Sequence, residues 1–408
     1  MMHTKALDAL RMGTAHLESG PLPVLPLATH PVRSAQFLDG MTRYHVPGAS
    51  IAVIANHRLE WACGYGVCEV GRSELVTPDT LFQACSVSKP VTAIAALRLV
   101  QEGILDLDED LNSYLVSWKV PTDRTGPSRV TLRHLLSHTA CLTACWYLGF
   151  RRGTKMPTLL QVLNGEPPAK TRPVRVQIPP GTRFRYSESH FAVLQQLLTD
   201  VTNTPFPDLM QALVFEPLGM CDSSYHPSFP EQRFSATAIG HYFDGLPING
   251  KWRLFPALAA SGLWTTPSDL ARLLLDLQLA RAGKPSKVLG KQIVNQLLSP
   301  QTPPDGRRWG LGFELKGQGE TARFQHSGDN IGFKCFVQGF CERGMGVVLM
   351  SNGDNGENMH KELLQIIAKQ YGWPTSSASG VPSRPTWRQW SHRLAVGTLR
   401  RYTRLVHF

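Results

Sequence analysis

Ser86 and Lys89 stand three residues apart in ACSVSKP, residues 84–90. A serine hydroxyl is a weak nucleophile until a base takes its proton, and a desolvated lysine amine can be that base near neutral pH. Three residues is close to one helical turn, so both side chains would share a face. If a helix begins at Ser86, its unpaired N–H groups and the positive end of its dipole would also stabilise an oxyanion. The chain has 408 residues, 27 of them serine and 13 lysine, so about one such pair is expected by chance. This pair needs company before it means catalysis.

Two other stretches offer it. In GTRFRYSESHF, Tyr186 precedes a predicted helix starting near Ser187. A phenol set against that serine and lysine could relay protons to a leaving group, or it could be a core tyrosine with a satisfied hydroxyl. In RFQHSGDNIGF, a strand carries His326-Ser327-Gly328 into a predicted turn at Asp329-Asn330. Glycine on an edge strand lets a substrate backbone come close, and the next N–H could be a second oxyanion donor. The same residues could equally be an ordinary hairpin end.

The elements that must position these residues are legible in outline. ASIAVIANHRLEWACGYG reads as a hairpin around Asn56-His57. KPVTAIAALRLVQEG reads as a helix with Val91, Ile94, Ala95, Leu97 and Val100 near 3.6 spacing and a stop at Gly103. VTLRHLLSHTA, SHFAVLQQLLTDVT and FPDLMQALVFEPLG are the clearest helical runs of the middle. Another helix starts at Thr266-Pro267-Ser268-Asp269 and stops at Gly283. Strand character returns in RWGLGFEL, IGFKCFVQGF and GMGVVLMSNG, and ENMHKELLQIIAKQYGWP closes the body as a helix. Strands at both ends and helices between them predict a mixed α+β fold. An antiparallel sheet, built from about 36–104 and 256–373, is flanked by helices and carries a mostly helical insertion at about 105–255. Residues 1–35 form an N-terminal arm, 36–373 the main domain, and 374–408 a basic tail.

Taken together, the three elements resemble the class C β-lactamase and penicillin-binding-protein-like serine hydrolases. That family has Ser-x-x-Lys, Tyr-x-Asn and Lys-Thr-Gly or His-Ser/Thr-Gly in this order, a set related to the class A signature. TLRHLLSHTACL, PPGTRFRYSESHFAVL, FEPLGM and SGLWTTPSDLARLL are similar to it as well, over roughly residues 40–373. The resemblance implies a β-lactamase/transpeptidase-like fold, Ser86 as the acylated nucleophile, Lys89 as its partner base, and Tyr186 as a second base and acid. It implies an oxyanion hole from the N–H groups of Ser86 and Asp329, and substrate contacts along His326, Ser327 and Gly328. No metal or organic cofactor is implied, and the substrate would be a small ester or amide.

Two departures matter. Tyr-x-Asn reads Tyr186-Ser187-Glu188 here. An anion beside Lys89 favours its ammonium form and weakens it as a base. Either Tyr186 then carries more of the base role, or Glu188 binds a cationic substrate group. In SHTACL, Cys141 stands where relatives usually have glycine; it either narrows the cleft or packs beneath it.

Composition excludes other classes. No stretch reaches the roughly 18 apolar residues of a membrane span, and the start lacks a secretory apolar core, so a cytoplasmic enzyme is expected. None of the eight cysteines forms Cys-x-x-Cys, and reduced thiols follow. The net charge of +11 is uneven: residues 375–408 hold six arginines and no acid, leaving +5 for the rest. That argues against nucleic-acid binding. On a helical wheel the tail sets Trp387, Trp390, Leu394, Tyr402 and Leu405 against Arg393, Arg400 and Arg404. It could contact a membrane surface or an acidic partner, or fold back on the body. LDLDEDL (105–111) lacks the glycine of an EF-hand loop, and His134 and His138, at i and i+4, read as helix-interior hydrogen bonders rather than metal ligands.

Overall fold

The computed structural model describes residues 35–121, 129–145, 147–304 and 307–374. The N-terminal arm before residue 35 and the arginine tail beyond 374 lie outside the described residues. The sheet is antiparallel and draws its strands from both ends of the chain. In chain order they are β1 (Gly48–Ala55), β2 (Arg58–Gly66), β3 (Glu314–Lys316), β4 (Arg323–Asn330), β5 (Phe333–Phe340) and β6 (Gly346–Ser351). Their spatial order is β2-β1-β6-β5-β4-β3. The hairpin joining β1 and β2 turns on Asn56 and His57, with φ of 52° and 56°; two successive left-handed residues match the right-handed twist of the strands.

Period-two alternation divides the apolar residues between two cores. Ala52, Ile54, Val348 and Met350 face the larger core, where α4 (Pro267–Arg281) packs on the sheet and α2 (Ser88–Gln101) and α3 (Ser189–Thr202) complete the cluster. Ile51, Val53, Val347 and Leu349 face the other, against Met359, Leu363 and Ile367 of α5 (Gly356–Gln370). α1 (Ala35–Arg43) packs beside α5. Helices thus cover both faces of an antiparallel sheet, the mixed α+β architecture expected.

Several expectations change in detail. α2 is buried almost all round, not along one stripe, because Ala93, Ala95 and Ala96 let neighbours close on every side. Of RWGLGFEL only Glu314 and Leu315 lie in a strand, which runs Glu314–Lys316. β4 runs through Asn330, so the turn falls at residues 331–332, not at Asp329-Asn330. The helix in VTLRHLLSHTA stops at Leu136, and His138 lies beyond it with φ of 58°; His134 and His138 therefore share no helix face. The acidic loop is internally used: Asp108 pairs with Arg133 at 2.7 Å and Asp110 caps Leu111–Tyr114. All eight cysteines are free, seven buried and Cys221 exposed. No described helix is long and apolar enough to cross a membrane.

α4 shows how local chemistry starts an element. Thr266 has extended backbone, its hydroxyl accepts the Asp269 N–H at 3.3 Å, and Pro267 opens the first turn. Such a cap contributes about 1 kcal/mol. Thr266→Ala should lower the urea-unfolding free energy by about that amount and leave substrate affinity unchanged.

Candidate active site

Ser86 sits in a 3-10 turn, Cys85–Val87, immediately before α2. The sequence suggested that the helix itself begins at Ser86; in fact one tighter turn intervenes, and Cys85 enters it with φ of +54°. A left-handed non-glycine residue costs on the order of 1–2 kcal/mol and persists where its surroundings hold it. Here they do: the Cys85 thiol is buried and points to the carbonyls of Gln83 (3.3 Å) and Phe333 (3.6 Å). Burial pushes that thiol far up, so it stays protonated and inert. The Ser88 hydroxyl donates to Cys85 O at 2.6 Å and accepts Leu263 N–H at 3.0 Å, tying the turn to the segment before α4.

Lys89 has no solvent exposure. Its Nζ donates to Ser86 Oγ at 3.1 Å and to Ala260 O at 2.9 Å, and lies 3.6 Å from Glu188 Oε1. Glu188 is itself buried: Oε1 accepts the Ser261 hydroxyl at 2.9 Å, and Oε2 accepts the Tyr147 N–H. Both oxygens are committed within the protein. The geometry therefore favours Glu188 as the lysine's partner and speaks against the alternative of a direct substrate-cation contact.

Tyr186 joins the same group, its ring centroid 5.2 Å from Lys89 Nζ. Trp309, His138 and His326 surround it at centroid distances of 5.7, 4.2 and 6.2 Å. His326 Nδ1 lies 2.9 Å from the Ser327 carbonyl. Only an N–H can pair with that oxygen, so Nδ1 carries a proton.

β4 brings the third stretch alongside. β3 pairs only with Arg323, Phe324 and Gln325, so from His326 onward the outer edge of β4 pairs with no other strand among the described residues, while the face that carries Gly328 packs on the Ser86 turn. A Cβ on Gly328 would lie 2.4 Å from Ala84 O, 2.8 Å from Cys85 Cβ and 3.1 Å from Ser86 N. Only glycine permits that approach. Ser327 and Asp329 are exposed on the other face. Cys141 is buried at φ of +54°, its sulfur 3.7 Å from Arg183 O; it packs beneath the site, and its left-handed backbone is the conformation that glycine adopts without strain.

Sequence reasoning missed three contributors. Ala260 O, which receives Lys89 Nζ, and Ser261 Oγ, which donates to Glu188, sit on a short helix, Leu258–Ser261, whose reach to the site has no sequence signal. His190, within SESHF, was unremarked. Its Nδ1 lies 2.9 Å from His138 Nδ1, and Ser187 N–H donates to His138 Nδ1 at 3.4 Å. His138 Nδ1 is thus the acceptor, and His190 supplies the proton of the pair. Burial pushes both imidazoles down, reinforced at His138 by His190 and Lys89, and brings His190 to about 3. A neutral pair therefore backs the Tyr186 ring.

The profile of the family described as Beta-lactamase matches residues 34–371. Penicillin-binding protein 4 of Amycolatopsis lactamdurans is 25% identical over 360 residues, covering 84% of this chain and 91% of that one. A D-aminopeptidase of Brucella ovis is 22% identical over 352 residues, 84% of this chain but 63% of its own length, so the chain spans less than two thirds of that relative. The octameric penicillin-binding protein homologue from Pyrococcus abyssi superposes with a TM-score of 0.69 at 23% identity, over 83% of this chain and 76% of that one; this likeness shows the fold.

The histidine pair makes stability pH-dependent. An unfolded histidine binds its proton below about pH 6.5, whereas folded His190 does not until about pH 3. The unfolded state then holds more protons through that window, and stability falls as pH drops. In His190→Gln, which can still donate to His138, urea-unfolding free energies should lose about 2 kcal/mol less than wild type between pH 7.5 and 5.

Proposed function

The chain belongs to the beta-lactamase family, and on that footing we propose that it is a serine hydrolase working through an acyl-enzyme at Ser86, with a small ester or amide as substrate. What carries this reading is the 3.1 Å contact between Ser86 Oγ and a wholly buried Lys89 amine. A lysine is enclosed at such cost only where its neighbours are specific to it.

In the proposed reaction Ser86 Oγ attacks the carbonyl carbon while its proton passes to Lys89 or Tyr186. The N–H groups of Ser86 and Asp329 hold the oxyanion of the tetrahedral intermediate, and each such donor is typically worth about a hundredfold or more in rate. Collapse breaks the bond to the leaving alcohol or amine, which takes its proton from Tyr186. Water then adds to the acyl group, giving up a proton to the same relay, and Ser86 is restored with release of the acid. His326, Ser327 and Gly328 line the substrate along the edge of β4.

Glu188 bears on which group is the base. A carboxylate lies 3.6 Å from Nζ where the family has an amide, and Tyr186, beside the same lysine, is the alternative base. A D-amino-acid peptidase or β-lactamase activity, or transfer of the acyl group to an amine or alcohol, uses the same residues and is the second enzymatic reading. A non-catalytic pocket is the reading outside enzymes. A cytoplasmic location and contact of the arginine tail with a membrane surface or acidic partner are proposed from the sequence alone.

Intact-mass spectrometry after a fluorophosphonate should give a one-to-one adduct that is absent in Ser86→Ala; no adduct in the wild type rejects the acyl-enzyme reading. Glu188→Gln should alter the pH–rate profile for p-nitrophenyl ester hydrolysis, since an amide then replaces the carboxylate that lies 3.6 Å from Lys89 Nζ. An unmoved profile would detach Glu188 from the relay.

A further inference from the structure

The residue whose N–H is proposed to face the oxyanion is itself an acid, Asp329. An unpaired carboxylate there would repel the charge that develops on the substrate oxygen. Lys334 stands opposite it in the β4–β5 register. Its ammonium is buried, 2.6 Å from Asp329 Oδ1 and 3.4 Å from Asp354 Oδ1. Asp354 in turn accepts the Gly332 N–H at 2.7 Å. Burial alone would push the Lys334 ammonium down, but the two carboxylates outweigh it and hold it up, so it is a permanent cation. A Cβ on Gly356, at the start of α5, would come within 3.1 Å of the Lys334 side chain; the cation is walled in beside the strand end.

We propose that Lys334 is a positioning residue for catalysis: its buried ammonium neutralises the Asp329 carboxylate beside the oxyanion site, so that the Asp329 N–H can stabilise negative charge. This rests on the acyl-enzyme reading above. The lysine acts through the carboxylate it pairs with, and Asp354 balances it from behind. The arrangement accounts for an acid being tolerated at this position.

The charge reading and a merely structural brace predict opposite outcomes when the pair is broken from the exposed side. Asp329→Asn leaves Lys334 paired with Asp354 and removes only the carboxylate. The rate of fluorophosphonate adduct formation, followed by intact mass, should then rise several-fold over wild type. Lys334→Met should slow it roughly tenfold, and Asp329→Asn in that background should restore most of the loss. The inference is overturned if Asp329→Asn slows adduct formation, as a loosened brace would, or if the double variant stays as slow as Lys334→Met. Should Lys334→Met fail to fold, the Asp329→Asn rate alone decides in the same sense. A wild type that forms no adduct at Ser86 sinks the acyl-enzyme reading and this inference with it, whereas an adduct whose rate ignores all three variants sinks only this inference.

Discussion

A lysine side chain with no exposure to water is the constraint around which this molecule is organised. Transferring an ammonium into a protein interior carries a penalty of several kcal/mol unless its donors are met. Lys89 meets a hydroxyl, a carbonyl and a carboxylate, each from a different part of the chain: Ser86, Ala260 and Glu188. The turn before α2, the segment before α4 and the N-terminal end of α3 must therefore close on one point. α2 is buried on nearly every side for that reason, since it carries the amine into the middle of the larger core.

The sheet contributes both a face and an edge. One face packs against α4 and, at Gly328, against the Ser86 turn, and the other packs against α5. Beyond its pairing with β3, the outer edge of β4 pairs with no strand among the described residues. A longer β3 would cover that edge. Strain collects at the site, with left-handed Cys85, His138 and Cys141 all lining or underlying it.

The sequence made the sheet, its hairpin and the helices α2, α3 and α4 legible, because each rests on local signals: alternation, Asn-His at a tight turn, a Thr-Pro-x-Asp cap, glycine stops. Ser86, Lys89 and Tyr186 were legible as residue types in order, and the structure draws them together. Contacts made through backbone atoms or across long loops were not. Nothing in PALAASG announces that one carbonyl will receive Lys89 Nζ, and no spacing links His138 to His190, 52 residues apart. The Tyr-x-Glu departure was visible, but its meaning waited on seeing both carboxylate oxygens engaged by Ser261 and the Tyr147 N–H.

Cys85, sealed and protonated one position ahead of the serine, also separates two kinds of reactivity in this chain. Soft electrophiles that seek thiolates meet only Cys221 at the surface among the described residues, while hard acylating and phosphonylating agents suit an alcohol nucleophile. A thiol-directed fluorophore or spin label would therefore go to Cys221, giving the protein a native reporting handle.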